Sequence, residues 1–543
     1  MKRKLSLVLV LAMIVMSLAA CGSKPTSKEN EPTVAATKTP TEEANETTPS
    51  DEGAQAEQAD ISEPVTLKWY LHGSNVTDDS AVLEKANEYL KEKLNVTLEP
   101  IWGTWGDFDN NAVMAINGGD DIDIYFTCSW SADEYNAFAK KGAWVRLDNP
   151  DNNLIEKYGK ETFDLLPDVL ANGAMINGSD GYGVYAVPGY KDIATQNCWD
   201  INVALLQKYG YTLDDIMNTD YYGFGEILAK VKAGEGDGFY PLLVEGAVLE
   251  RMVNNSIIVT GDAGTNNLLS YYINPTDTSA EGAYGNTILS KFETPEYKKF
   301  VEKTREYFLA GYIDPALGNA NQANDIRSAK QLTGEYLIGT QSYALGYEVQ
   351  ASKERGFEVA MVPCTPAYVD TTSSQGAMMA ISTSSKNPER AMMFLNLLNT
   401  DSYLMTLLNY GVEGIHYNLL NGEAFFTEKR SDYMPWTNGM GNVTLLPPQE
   451  GQGADFWDGF KSYYGSAGEI PILGWAFDPT NVQNEMGALV NIAAEYVLSL
   501  NTGTVDPADA LPKFIEKLKG NGMDKVVDEA NNQLKAFLDA KGN

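Results

Sequence analysis

From Val65 onward the hydrophobic residues follow two alternating periods. VTLKWYL (65–71) puts apolar side chains at every second position, closely enough to predict a strand. SAVLEKANEYLKEKL (80–94) then brings Val82, Ala86, Tyr89, Leu90 and Leu94 round at helical spacing, with Asp78 or Asp79 as cap. NVTLEPIW reads as a strand again, and DIDIYFTCSW as a buried strand running into a loop. Strand, helix and strand in that order predict an α/β lobe around a mainly parallel sheet. YGVYAVPGY carries the chain onward, and the helix INVALLQKYG, from Ile201, opens a second series of the same kind. FEVAMVPCTP and AMMAISTSSKNPERAMMFLNLLNTD predict a returning strand, a core strand and a helix capped by Asn387, with Pro388 in its first turn. Helices dominate the end of the chain, over residues 484–500, 507–519 and 523–540.

The first sixty residues follow neither period. Lys2, Arg3 and Lys4 precede a largely apolar run, Leu5 to Leu18. That run is shorter than the roughly 20 residues of a spanning helix and fits a secretory leader. Leu18-Ala19-Ala20-Cys21 resembles a bacterial lipobox, which implies a signal peptide over 1–20 and a diacylglyceryl group on Cys21. The plainer alternative is an ordinary signal peptide that happens to hold a cysteine. Two acyl chains anchor stably where one is marginal, so the expected location is the outer face of the cell membrane. Residues 21–63 then carry ten acids against three bases between Gly22 and Glu63, with no aromatic residue. Such a segment cannot bury enough apolar surface to offset its ordering entropy and reads as a disordered tether.

Composition narrows the function classes. The net charge of −34 argues against a nucleic-acid partner, which needs basic surfaces. Beyond Cys21 only Cys128, Cys198 and Cys364 remain, so at most one intramolecular disulfide is available and no pair has zinc-ligand spacing. His72 and His416 are the only histidines, and neither sits in an HExxH pattern. No nucleophile elbow or P-loop is present. Gly181, Gly183 and Ala186 match a dinucleotide-binding pattern in letters, but a strand follows where a helix is required. LDNPDNN (147–153) is oxygen-rich, yet its spacing misses a calcium loop. No cofactor, metal or catalytic residue is expected.

The lipobox, DIDIYFTCSW, GYGVYAVP, ISTSSKNPERAMMFLNLLNTD, LLNYGVEGIHY and GWAFDPTNVQNEMGAL together are similar to the family 1 extracellular solute-binding lipoproteins. These are the sugar-capturing components of ABC importers, and the likeness is to their large Gram-positive branch with a C-terminal domain of unknown function. The resemblance implies a two-lobed α/β fold of the type II periplasmic-binding-protein kind. Ligand would lie between lobes that close about hinge strands. Laid on this chain, the first lobe takes 64–188 and returns over 364–406. The second takes 189–363 and, with a helical C-terminal region, 407–543. It further implies a monomer that captures a saccharide, expected to be an oligosaccharide, and passes it to the importer's permease subunits. A peptide-binding receptor and a secreted glycoside hydrolase are the alternatives, since 74 acids guarantee carboxylate pairs somewhere.

A pyranose shows a C–H face that suits a flat ring and a rim of hydroxyls that suits Asp, Asn, Glu, Arg and Gln. Trp130 ends a strand where the chain leaves the sheet, the side on which open α/β sheets bind ligands. Tyr343 and Trp436 fall where the resembled family places aromatic residues. Trp475 stands at an irregular entry to the last helices, between Gly474 and Pro479. His72, Ser74 and Asn75 follow the first strand, Glu245 follows another, and Lys191 and Asp192 follow the first crossing; these positions suit rim contacts and solvated loops equally. Trp102 and Trp105 suit the cleft mouth or a sheet edge equally, and Trp144 suits the core.

Overall fold

A computed structural model describes residues 60–541, apart from 74, 105–106, 260, 262–267 and 320–321. The leader, Cys21, nearly all of the tether, Ser74 and Trp105 lie outside the described residues.

Nine strands form the two sheets that position the site. In chain order the first four are β1 (Val65–Leu71), β2 (Val96–Trp102), β3 (Ile124–Thr127) and β4 (Val187–Pro188). After them come β5 (Asn197–Asn202), β6 (Leu242–Leu243), β7 (Ile338–Ser342), β8 (Val359–Pro363) and β9 (Met378–Ile381). The first sheet has the order β2-β1-β3-β9-β4. β1 runs parallel to β2 and β3, while β9 returns antiparallel between β3 and β4. All four residues of β3 are buried, as a central strand covered on both faces requires. Helix α1 (Ser80–Leu94) buries Val82, Ala86 and Leu90 and stops at Asn95, which is left-handed with φ of 50°. The short α2 (Tyr135–Lys140) follows β3, its first turn capped by the Glu134 side chain.

The second sheet has the order β8-β5-β7-β6. The expectation of a mainly parallel sheet does not hold for it: β5 is antiparallel to both β7 and β8, and only β7 and β6 are parallel. The cause for the β5–β8 pair is that β5 brings the chain in from the first sheet along one crossing while β8 carries it back along the other, so the two run in opposite senses. Asp200 on β5 is fully buried and is satisfied by Arg355 at 2.8 Å and the Tyr336 hydroxyl at 2.7 Å, which fixes the strand that leads out of the hinge. Helix α3 (Gly246–Asn254) covers this sheet, packed on β5 and β7, and α4 (Pro295–Leu309) packs on α3.

Two helices return the chain to the first lobe: α5 (Pro388–Thr400) and α6 (Ser402–Tyr410). Phe394 of α5 meets the fully buried Trp69 of β1 edge-on at 5.4 Å. Burying one such side chain stabilises the fold by about 1.5–3 kcal/mol. The stretch after residue 406, expected in the second lobe, stays here for some distance. The α6 helix packs on α1, Tyr433–Met434 pairs with Asn75–Val76, and Val443 donates to the Tyr190 carbonyl at 2.9 Å. The reason is that α6 is buried almost throughout, including Leu404, Met405, Leu407 and Leu408, and its apolar surface continues the seam begun by α5.

Three segments join the lobes. Thr195 of the first crossing and Tyr368 of the second exchange backbone hydrogen bonds of 2.7 and 3.0 Å, and the Gln196 amide donates to the Thr365 carbonyl at 3.0 Å. A third segment leaves helix α7 (Phe456–Gly465): Gly468–Glu469 pairs in parallel with Tyr368–Val369, and Gly474 donates to the Thr371 hydroxyl at 3.0 Å. It ends at Asp478, which forms an ion pair of 2.8 Å with Lys140 of α2 while its backbone bonds Gln533. Helices α8 (Gln483–Asn501), α9 (Pro507–Gly520) and α10 (Met523–Lys541) then pack on one another, with α8 against α3 and α4. Cys128, Cys198 and Cys364 are free thiols. Among the described residues no helix is long and apolar enough to cross a membrane.

Candidate functional site

His72, Trp130 and Trp436 come from three distant parts of the chain and meet at one point. His72 directly follows β1, and Trp130 lies three residues past β3, so both stand at carboxyl ends of parallel strands. Their ring centroids are 5.4 Å apart; Trp436 lies 6.2 Å from His72 and 5.8 Å from Trp130, with all three pairs edge-to-face. Phe126, the third residue of β3, lies beneath both indoles at 5.9 and 5.6 Å. Trp130 is 44 % exposed, so the cluster has an open face.

Local chemistry holds each ring in place. The Trp130 indole N–H donates to the Gly376 carbonyl at 2.9 Å, and Ser129 bonds the backbone of Gln375 and Thr372. Ser131 closes the loop by donating to Asp133 at 2.6 Å. Trp436 enters a tight turn in which Gly439 donates to its carbonyl at 2.9 Å. A Cβ on Gly439 would stand 2.6 Å from the indole, so only glycine allows that approach. Burial lowers the His72 imidazole from its ordinary value, outweighing Asp109 and Asp107, which leaves it neutral near pH 7. Burial pushes the Asp133 carboxyl up to about 7, against the opposing hydrogen bond from Ser131.

A polar rim adjoins the rings. Lys191 pairs with Asp192 at 2.9 Å, and the Asn438 amide, two residues past Trp436, donates to the same carboxylate at 3.4 Å. A Cβ on Gly376 would lie 3.1 Å from Lys191 Nζ, which places the ammonium over the glycine that anchors Trp130. Asn75 is exposed on the short strand opposite Met434.

The remaining expected residues fall elsewhere. Glu245 follows β6 and is paired with Arg327 at 2.8 Å. Tyr343 follows β7, donates its backbone N–H to the Gln196 carbonyl at 2.8 Å, and meets Tyr463 edge-on at 5.7 Å. Trp475 corrects the sequence reading: it is only 4 % exposed and belongs to the core. Two backbone turns fold its segment inward, Leu473 to Ile470 and Trp475 to Ile472, each at 3.0 Å, and the Thr371 hydroxyl holds its carbonyl. Ile470, Ile472, Leu473 and Phe477 are buried with it. Trp102 caps Asp79 through its indole N–H at 2.7 Å and packs on Tyr433, and Trp144 is core. Sequence reasoning missed Phe126, Asn438, Gln196 and Tyr463. Only Asn438 carried a signal, its closeness to Trp436. Among the described residues no cluster of three or more His, Cys, Asp or Glu side chains could hold a metal ion.

Two sheets linked by shared crossings, with a ring-lined rim at the strand ends, define a two-lobed solute-binding protein. The chain belongs to the bacterial extracellular solute-binding protein family, whose model matches residues 73–405, and residues 471–539 match a domain of unknown function, DUF3502. A carbohydrate ABC transporter substrate-binding protein of Streptococcus pneumoniae is 27% identical over 494 residues, covering 90% of this chain and 94% of that one. The crystal structure of the N-glycan transport solute-binding protein NgtS from Streptococcus pneumoniae has a TM-score of 0.74 at 25% identity, covering 88% of this chain and 100% of that one. Its complex with Man5GlcNAc has a TM-score of 0.67 at 26% identity, covering 88% and 99%.

Proposed function

We propose that this protein is a lipid-anchored receptor that captures an oligosaccharide between its lobes and hands it to the permease subunits of an ABC importer, without chemistry of its own. The observation that carries this reading is the open face of Trp130, packed against Trp436 and backed by the buried His72, beside the Lys191–Asp192–Asn438 rim. Flat rings complement the C–H face of a pyranose, and the rim supplies donors and an acceptor for its hydroxyls. The pneumococcal relatives, a carbohydrate substrate-binding protein and an N-glycan receptor with Man5GlcNAc bound, support the ligand class. Diacylglyceryl-Cys21 and the acidic tether hold a monomer at the outer face of the membrane. We assign the lobes the boundaries expected from the sequence, with the stretch that follows residue 406 moved to the first on the strength of its packing there.

The test is a thermal-shift screen against neutral oligosaccharides, peptides and chromogenic glycosides. Ligand at 100 times its Kd adds about 2.7 kcal/mol of stability, so free oligosaccharide raises the melting temperature and no glycoside is cleaved. Stabilisation by peptides alone, or turnover of a glycoside, overturns the reading.

A further inference from the structure

Gln196 lies in the first crossing, is 9 % exposed, and holds three partners at once. Its side-chain amide donates to Thr365 of the second crossing at 3.0 Å, and its backbone carbonyl accepts from Tyr343 at 2.8 Å. Its side-chain carbonyl accepts from the Tyr463 hydroxyl, and its neighbour Asn197 donates from its backbone to the Thr365 hydroxyl at 3.1 Å. Tyr343 and Tyr463, from the end of β7 and from α7, therefore take their positions from the hinge and meet edge-to-face at 5.7 Å and 72°. Both rings are half-buried. The pair is joined to the tryptophan face by a short path. Phe460 of α7 meets the ring of Tyr190 at 6.3 Å, Tyr190 directly precedes the Lys191–Asp192 pair, and Asp192 is the residue that Asn438 reaches from the Trp436 turn.

Resting on the saccharide reading above, we propose that Tyr343 and Tyr463 form a second sugar-stacking surface, that Tyr463 is a ligand-binding residue, and that Gln196 positions it. A surface separated from Trp130 and Trp436 by the Asp192 rim serves a different sugar ring, so the ligand class is a saccharide of at least two residues that spans both surfaces.

The test uses the mature protein with Man5GlcNAc, maltoheptaose, cellohexaose and lacto-N-tetraose as calorimetric probes. Each is paired with a disaccharide of the same linkage. For the tetrasaccharide or longer probe that binds, Tyr463→Ala weakens affinity roughly 10- to 100-fold, at least tenfold more than it weakens the disaccharide. Trp130→Ala weakens both alike. Tyr463→Phe keeps the ring and cuts the tie to Gln196, so it loses roughly 2- to 10-fold, again mainly for the longer ligand. A merely structural role for Tyr463 would lower the ligand-free melting temperature and reduce both ligands equally, and that result overturns the inference. Unchanged affinity in Tyr463→Ala overturns it while leaving the saccharide reading intact. Wild-type protein that binds none of the four probes overturns both.

Discussion

Trp130 and Trp475 stand in similar sequence surroundings, each after an apolar run and each followed within three residues by an acid, yet one is 44 % exposed and the other 4 %. The loop of Trp130 satisfies its own polar groups from below. Gly376 takes the indole N–H, Thr372 and Gln375 take Ser129, and Asp133 takes Ser131, so the indole face is left at the surface. The segment of Trp475 has no such scaffold. Its Ile, Leu and Phe neighbours are all buried, and Thr371 binds only its backbone, which folds the ring inward with them. An aromatic ring reaches solvent when the polar groups around it are held by the structure beneath, and sinks when its neighbours are apolar.

The sharpest break of this contrast is a pair of truncations. Trp475→Ala costs about 3–5 kcal/mol of stability, as for a core aromatic. Trp130→Ala costs less than about 1 kcal/mol of stability and about 1.5–3 kcal/mol of binding, a loss of roughly 10- to 100-fold. Denaturant midpoints and calorimetry on both variants measure the two quantities, and exchanged outcomes would reverse the assignment of core and site.

The Trp130 loop also carries a pH signature. With Asp133 raised to about 7 and an unfolded value of about 3.9, the folded state keeps a proton that the unfolded chain releases between those values. Its contribution is therefore greatest below about pH 4 and is lost as pH rises through 7. Asp109 and Glu134 push in the same direction as burial. Asp133→Asn removes this component, so unfolding midpoints at pH 5 and 8 lie closer together in the variant than in the wild type. An unchanged difference assigns the proton to another group.

The smallest effect belongs to the Trp475 side. Partial burial raises the Asp478 carboxyl, and Lys140 together with Thr480 outweighs it, leaving the group down at about 2. This stabilisation is present above the unfolded value of about 3.9 and is lost as pH falls towards 2. Both partners are nearly 40 % exposed, at 38 % and 39 %, so solvent screening holds the pair to about 0.2–1 kcal/mol. Lys140→Ala lowers stability by that amount at low salt, and the difference from wild type shrinks in 1 M salt. A salt-independent difference would mean that packing of the lysine stem, not charge, holds the third crossing.

Much of the local structure was legible from the chain. β1, α1 and the Pro388 helix follow from their periods and end signals, because those depend on neighbours within one or two turns. The carboxyl end of β3 marked Trp130 for the same reason. The antiparallel pairing of β5, the continuation of the first lobe past residue 406, and the hold of Gln196 on Tyr463 were not legible. Each joins segments more than 100 residues apart or depends on which sheet edge a helix covers.

By itself, then, the sequence determined the elements, the acidic segment before the lobes, and the family to which those lobes belong. Tertiary structure alone decided that Trp130 keeps an exposed indole against Trp436 and the buried His72, while Trp475 packs among Ile470, Ile472, Leu473 and Phe477 in the core. Periodicity states which side of an element is apolar, but exposure depends on what packs against that side, and in this fold the partner arrives from a distant part of the chain.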